Sequence, residues 1–211
     1  AAEYHLNIYA KTKQATDLVP EGHVVAYGQF QLSSAKSSAL LSKSNTEITL
    51  EEIDNNISVT GNDFKITFNK ESGLVTDIDY GSGNMLLQGV KPNFWRATTD
   101  NDFGFKMPKK LGVWNDATNN QELISVSSKS LKNNTVKIET LYNLPAVNGK
   151  VAIHYTINGK GEIKVQTNLK DIKEDLPVLP RFGNNFIIKN EFNKVKWFGR
   201  GPYENYQDRN T

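Results

Sequence analysis

From Glu3 to Thr12 the chain alternates, with Leu6, Ile8 and Ala10 on one side of an extended backbone and His5, Asn7 and Tyr9 on the other. Successive side chains of a strand point to opposite faces, so this period of two predicts a strand. "HVVAYGQFQL", ending at Leu32, predicts a second. "SSAKSSALLSKS" follows with no period and a composition of Ser, Ala, Lys and Leu, which reads as a linker. A domain boundary is therefore expected there.

Beyond the linker the period of two returns. "DFKITFN" places Phe64, Ile66 and Phe68 on one face, "KESG" turns the chain, and "LVTDIDY" runs back before "GSGN" turns it again. Gly73 suits the first of these turns because it can adopt a positive φ. Further runs of the same kind are "ELISVSS", "TVKIETLYN", "KVAIHYTIN", "GEIKVQTNL", "NNFIIKN" and "KVKWFG". In "TINGKGEIKV" the pair Asn158-Gly159 lies between two alternating runs and predicts a hairpin. Helical periodicity is nearly absent, and neither a repeat nor a βαβ rhythm is visible. The expected class is all-β, with antiparallel sheets packed face to face as a β-sandwich.

Composition narrows the function classes. The length of 211 residues suits one large β domain or up to two smaller ones. The net charge is +2, from 25 basic and 23 acidic residues. With no basic stripe, and Lys109-Lys110 only a pair expected in a solvated loop, nucleic acid is not an expected partner. Cysteine is absent, which excludes disulfides, a thiol nucleophile and thiolate metal sites, and suits cytoplasm and periplasm equally. No run is long enough to predict a membrane span. The opening "AAEYHLNIYA" lacks a basic-then-apolar leader, so the chain reads as mature or as cut from something longer. His5, His23 and His154 are far apart and read as strand or loop histidines, not a metal cluster.

Two segments break the alternation. "NFWRATTDNDFGF", residues 93–105, sets consecutive polar groups among large aromatics and reads as a loop. As a calcium loop starting at Asp100 it fits poorly and is a minor reading, because position five is Gly104 and no flanking helices are predicted. Two readings stay open: Asp100 and Asp102 hold a long loop rigid through backbone N–H groups, or the loop faces a sugar. A saccharide site needs this mixture of apolar planes and fixed carboxylates or amides. "WFGRGPYENYQDRN", residues 197–210, is the second segment. Gly199-Arg200-Gly201 is not a phosphate loop, since the third glycine and the Lys-Ser/Thr pair are missing and Pro202 removes an N–H. A Glu204–Arg209 or Asp208–Arg209 ion pair would hold this turn. Glu204 with Asp100 or Asp102 could also form a glycosidase pair, which requires carboxyls about 5 Å apart for retention and more for inversion.

"PNFWRATTDNDFG" and "WFGRGPYENYQDR" together resemble the C-terminal region of the glycoside hydrolase family two β-galactosidases, the LacZ-type enzymes. "LPRFG" at 179–183 resembles the stretch between those motifs, and "PEGHVVAYGQFQL" resembles the end of the immunoglobulin-like domain that precedes this region. The sequence departs at Thr98, where the family commonly has proline, so its loop is expected to be less stiff.

The resemblance implies that residues 1–34 close an immunoglobulin-like sandwich, 35–46 form a linker, and 47–211 form most of a large galactose mutarotase-like supersandwich. It further implies a retaining β-galactosidase whose catalytic glutamates lie on a separate (β/α)₈ barrel. On that reading no residue here is catalytic, Glu204 included, and the isolated chain hydrolyses nothing. Arg96, Asp100, Asn101 and Asp102 would form a loop at the sugar site, with Arg96 and Asp100 locking it and Asn101 and Asp102 fixing its tip. Phe94 and Trp95 would be core anchors. Arg181, Glu204, Asn205, Tyr206, Asp208 and Arg209 would form the structural motif beside it. Mg²⁺ and Na⁺, where the parent needs them, would bind mainly on the barrel, and no metal or cofactor is assigned to this chain. The implied partners are galactosides or galactose-containing glycans and the catalytic barrel itself, within a parent that can be oligomeric. Two other classes compete: a stand-alone carbohydrate-binding sandwich, and an epimerase-like or lyase-like sandwich needing a His/Glu pair, for which His154 is the central histidine.

Overall fold

The computed structural model describes residues 3–33 and 41–199. These fall into two compact units, residues 3–33 with 195–199 and residues 41–194.

In the first unit β1 (Tyr4–Lys11) and β2 (Val24–Ser33) pair antiparallel. The register sets Leu6 opposite Phe30 and Ile8 opposite Gly28, so these apolar side chains share one face. Asn7 faces Gln29 on the other, where the Gln29 amide donates to Asn7 Oδ1 at 2.9 Å. Leu6, Ile8 and Phe30 are all exposed. A two-stranded ribbon with its apolar face exposed is marginally stable alone.

The second unit is a sandwich. The strands β3 (Thr49–Ile53), β4 (Asn56–Thr60), β5 (Lys65–Asn69) and β6 (Val75–Asp79) form one antiparallel sheet in sequence order. The strands β8 (Glu122–Leu131), β9 (Thr135–Leu144), β10 (Gly149–Asn158) and β11 (Ile163–Lys170) form another. The remaining pair is β7 (Leu86–Asn93) with β12 (Gly183–Ile188). The alternation in the sequence becomes the core. Ile57, Val59, Ile66 and Phe68 from the first sheet are buried together with Val136, Ile138, Ile153, Tyr155 and Ile157 from the second. The Phe68 and Tyr155 rings meet edge to face at 4.9 Å, which fixes the two sheets against each other. Each such side chain taken from water contributes about 1.5–3 kcal/mol. Gly73 takes φ 71° at the turn between β5 and β6, as its position in "KESG" predicts.

Three expectations need correction. The end of the 93–105 segment, expected as loop, is a helix, α1 (Asp100–Phe105), and two more short helices follow it, α2 (Met107–Leu111) and α3 (Val113–Asn119). Thr99 caps α1, Lys106 breaks the chain with φ 61°, and Met107, Leu111, Trp114 and Ala117 bury one stripe. The Lys109-Lys110 pair thus sits in the last turn of α2, not in a loop. "KVKWFG" is not a strand among the described residues, and Phe198 is 87% exposed. Alternation makes a strand only where a neighbouring backbone completes the ladder.

Candidate functional site

The 93–105 segment begins where β7 ends, and its base is held by buried groups. Asn93 Oδ1 accepts the Trp95 N–H at 2.9 Å. Phe94 is fully buried, its ring 6.0 Å from Trp114 and 6.0 Å from Phe182, with which it lies nearly parallel at 22°. Its backbone N–H donates to Thr118 Oγ1 at 2.9 Å, and that hydroxyl donates to the Trp114 carbonyl at 2.9 Å. Trp114 Nε1 donates to the Pro177 carbonyl at 2.9 Å. Phe94 is thus a core anchor, and Trp95 packs half-buried against the same cluster.

Above this base the polar groups converge on Asp102. Arg96 Nη1 and Nη2 donate to its two carboxylate oxygens at 2.6 and 2.8 Å, a forked ion pair. The Thr99 N–H and hydroxyl donate to Asp102 Oδ2 at 2.8 and 3.0 Å, while Thr99 Oγ1 accepts the Asp102 N–H. This reciprocal arrangement is a capping box, which satisfies helix-start donors that otherwise lack partners. The Arg96 guanidinium, then the Thr99 N–H, hold the Asp102 carboxyl below its ordinary pKa. Only 13% of the Asp102 side chain is exposed. Of the two residues expected to lock the loop, Arg96 forks onto Asp102. Asp100 and Asn101 lie in the exposed first turn of α1, where their side chains form no hydrogen bond among the described residues. A negative charge there is favourable to the helix dipole.

None of the residues of α1 is buried. It presents Asp100 and Asn101 together with Phe103, 59% exposed, and Phe105, 50% exposed. Lys110 Nζ stands 4.0 Å above the Phe105 ring. Carboxylate, amide and aromatic planes thus share one short, fixed element. That mixture suits a polyhydroxyl ligand, whose C–H faces stack and whose hydroxyls exchange hydrogen bonds.

The stretch 179–183 joins the site through Phe182, whose ring stacks on Phe94, and through Gly183, which pairs with Asn93. Arg181 is exposed immediately before them. Glu204, Asn205, Tyr206, Asp208 and Arg209 lie outside the described residues, and so do the ion pairs and the carboxylate pair expected of them. Reading by residue type passed over Thr99 and Thr118, and gave Phe103 and Phe105 no place among the named site residues. A Thr-x-x-Asp start was available to reveal the cap.

His154 Nδ1 lies 3.0 Å from Glu139 Oε2, which Lys137 Nζ also meets at 3.0 Å. The Lys137 hydrogen bond, with smaller help from the His154 charge, lowers the Glu139 pKa. His154 alternates with the buried Ile153 and Tyr155, so this cluster sits on the outer face of its sheet. Among the described residues no three His, Cys, Asp or Glu side chains gather as a metal site. Both Asp102 oxygens are already taken by Arg96 and Thr99, a donor set that does not fit Mg²⁺ or Na⁺.

Fold and site together define an all-β sandwich domain carrying an ion-paired, helix-capped polar-aromatic segment. Residues 60–211 match the family described as β-galactosidase small chain, and residues 1–33 match β-galactosidase, domain 4. The chain belongs to the β-galactosidase small-chain family. It is similar to a β-galactosidase of Priestia megaterium, 30% identical over 209 residues covering 99% of this chain and 20% of that protein. It is 34% identical to a β-galactosidase of Clostridium acetobutylicum over 208 residues, 98% of this chain and 23% of that protein. A Streptococcus thermophilus β-galactosidase is 28% identical over 93% of the chain and 19% of its own length. The chain thus spans about a fifth of the length of these relatives.

Proposed function

We propose that this chain is an accessory sugar-site portion of a larger retaining β-galactosidase that hydrolyses terminal non-reducing β-D-galactosyl residues. The observation that carries this reading is the Arg96–Asp102–Thr99 lock, which holds Asp100, Asn101, Phe103 and Phe105 in one exposed element. The whole-chain similarity to proteins named β-galactosidase supports the substrate class. On this reading residues 1–34 complete an immunoglobulin-like domain, 35–46 link it to the large sandwich, and that sandwich begins at 47. The catalytic glutamates and any Mg²⁺ or Na⁺ belong to a (β/α)₈ barrel elsewhere in the parent, and the segment around Asp102 borders its sugar pocket.

The chemistry needed of this chain is positioning. A loop that meets a sugar must keep its donors and acceptors in place before the ligand arrives, because misplacement costs rate far from the reacting atoms. The forked Arg96–Asp102 pair fixes direction as well as distance. The test uses the complete enzyme with a nitrophenyl β-galactoside. Asp102→Asn keeps the shape but weakens the fork, and should lower kcat/KM on the order of tenfold. Asp100→Ala should change sugar affinity or turnover by more than about twofold. If both variants stay within about twofold, the site-lining role is wrong. Hydrolysis by the purified 211-residue chain would overturn the accessory reading.

A further inference from the structure

A second arrangement of aromatic and polar groups lies in residues 41–194 and shares no residue with the 93–105 segment. A half-open cavity of about 270 Å³ is lined by Thr46, Asn62, Asp63, Phe64, Tyr80 and Lys160, with Gly159. Asn62 and Asp63 form the turn between β4 and β5, closed by the Gly61 N–H donating to the Phe64 carbonyl at 3.0 Å. Lys160 stands on the turn between β10 and β11, where its N–H donates to Asn158 Oδ1 at 3.1 Å. Phe64 and Tyr80 form the aromatic wall, their ring centroids 6.3 Å apart.

The wall is built in. The Tyr80 hydroxyl donates to the Gly161 carbonyl at 2.6 Å, so the ring cannot swing away, yet Tyr80 remains 45% exposed. Gly161 takes φ 77°, and a Cβ there would come within 2.8 Å of the Tyr80 ring and 2.9 Å of Phe64. Gly159 lets the chain at Thr46 approach, since a Cβ would lie 2.0 Å from the Thr46 carbonyl oxygen. By contrast Asn62, Asp63 and Lys160 direct no side chain into a hydrogen bond with another described residue and stand exposed at the rim.

The donor set selects the ligand. A cation finds one carboxylate, Asp63, and the Lys160 ammonium lining the same cavity, because Asp79 is engaged by the Gly81 and Gly83 N–H groups and Glu162 by Ser42 and Asn158. An anion meets Asp63. A neutral polyhydroxyl ring matches all of it: a carboxylate acceptor, an ammonium donor, an amide that is both, and a fixed aromatic plane. The volume falls below the roughly 300–1,000 Å³ of sites for larger ligands, which suits one ring and not an oligosaccharide. We propose that this cavity binds a single pyranose unit against Tyr80, with Asp63, Asn62 and Lys160 as its hydrogen-bonding groups.

Hydrogen–deuterium exchange of the full-length polypeptide tests this locally. D-Galactose or D-glucose is added up to roughly 100 mM, well above a millimolar Kd. Exchange should slow in peptides covering 61–64 and 159–162. Asp63→Ala should weaken the sugar concentration dependence by at least about fivefold, and Tyr80→Ala should abolish it. Asp63 is on the exposed rim, so its variant decides the matter even if Tyr80→Ala disturbs the turn. No sugar-dependent change in those peptides, or unchanged protection in Asp63→Ala, overturns the site. The readout does not pass through hydrolysis, so its failure leaves the proposed function standing, and the reverse also holds.

Discussion

Thr118→Val isolates one atom beneath the candidate site. The threonine hydroxyl accepts the Phe94 N–H and donates to the Trp114 carbonyl, both at 2.9 Å. Valine keeps the branched shape and removes both bonds. Phe94 has no exposed surface, so water cannot replace the lost acceptor. A buried N–H left unsatisfied costs about 1–3 kcal/mol. In a chain of this size each kcal/mol moves Tm by about 2–4 °C, so the fall should be roughly 2–12 °C. Thermal unfolding followed by circular dichroism measures this fall, and urea unfolding followed by tryptophan fluorescence measures the free-energy cost, an unchanged m-value showing that compactness is preserved. Thr118→Ser restores the hydroxyl and should recover most of the loss. A Thr118→Val cost under about 0.5 kcal/mol would refute the reasoning, because a partnerless buried donor cannot be that cheap. A serine variant as unstable as the valine one would do the same, by showing that the methyl group and not the hydroxyl matters.

Two further outcomes follow from the same geometry. Folding lowers the Asp102 pKa, so its contribution to stability is complete above the unfolded carboxylate value of about 4 and is lost as pH falls through the lower folded value. Titrating the Asp102 carboxyl carbon by NMR should show this depressed midpoint, and Arg96→Ala should raise it; a wild-type midpoint at or above about 4 contradicts the fork. Gly159→Ala places a Cβ 2.0 Å from the Thr46 carbonyl oxygen. The backbone must move, and urea unfolding should show a loss of about 1–3 kcal/mol, whereas a neutral result would mean that Thr46 does not lie against this turn.

The sandwich was legible because burial on one face of a strand leaves a period of two, which Phe64, Ile66 and Phe68 or Val136, Ile138 and Thr140 display without ambiguity. The helices were not, although Met107, Leu111 and Trp114 recur at helical spacing. Each helix is shorter than a pattern needs to stand out, and Gly104, Pro108 and Gly112 argue locally for loop. The Arg96–Asp102 fork was invisible for a different reason. Composition names the carboxylates near an arginine, but only the turn made by Thr99 decides which one the guanidinium reaches. Exposure of the hairpin Tyr4–Ser33 could not be read either, since alternation reports a face that is meant to be covered and not what covers it.

A six-residue helix is far below the length at which helices stand alone, and α1 buries no side chain to be held by packing. Its shape therefore rests on polar bonds that meet at one carboxylate, and on its neighbours. Below, Phe94 and Trp114 fix where the segment leaves the core; beyond, Met107 and Leu111 fix where it returns. Between those fixed ends the fork and the capping box decide one conformation, and each of these contacts is worth little on its own compared with a core residue. On the proposed reading, a segment built this way would be ordered yet open to rearrangement by a ligand that offers Arg96 or Asp102 a comparable partner, because a ligand shifts a conformation only by its differential affinity. The same exchange would be unaffordable if the segment were tied by buried apolar side chains. Polar anchoring thus allows carboxylate, amide and aromatic groups to gather on an element that buries no residue of its own.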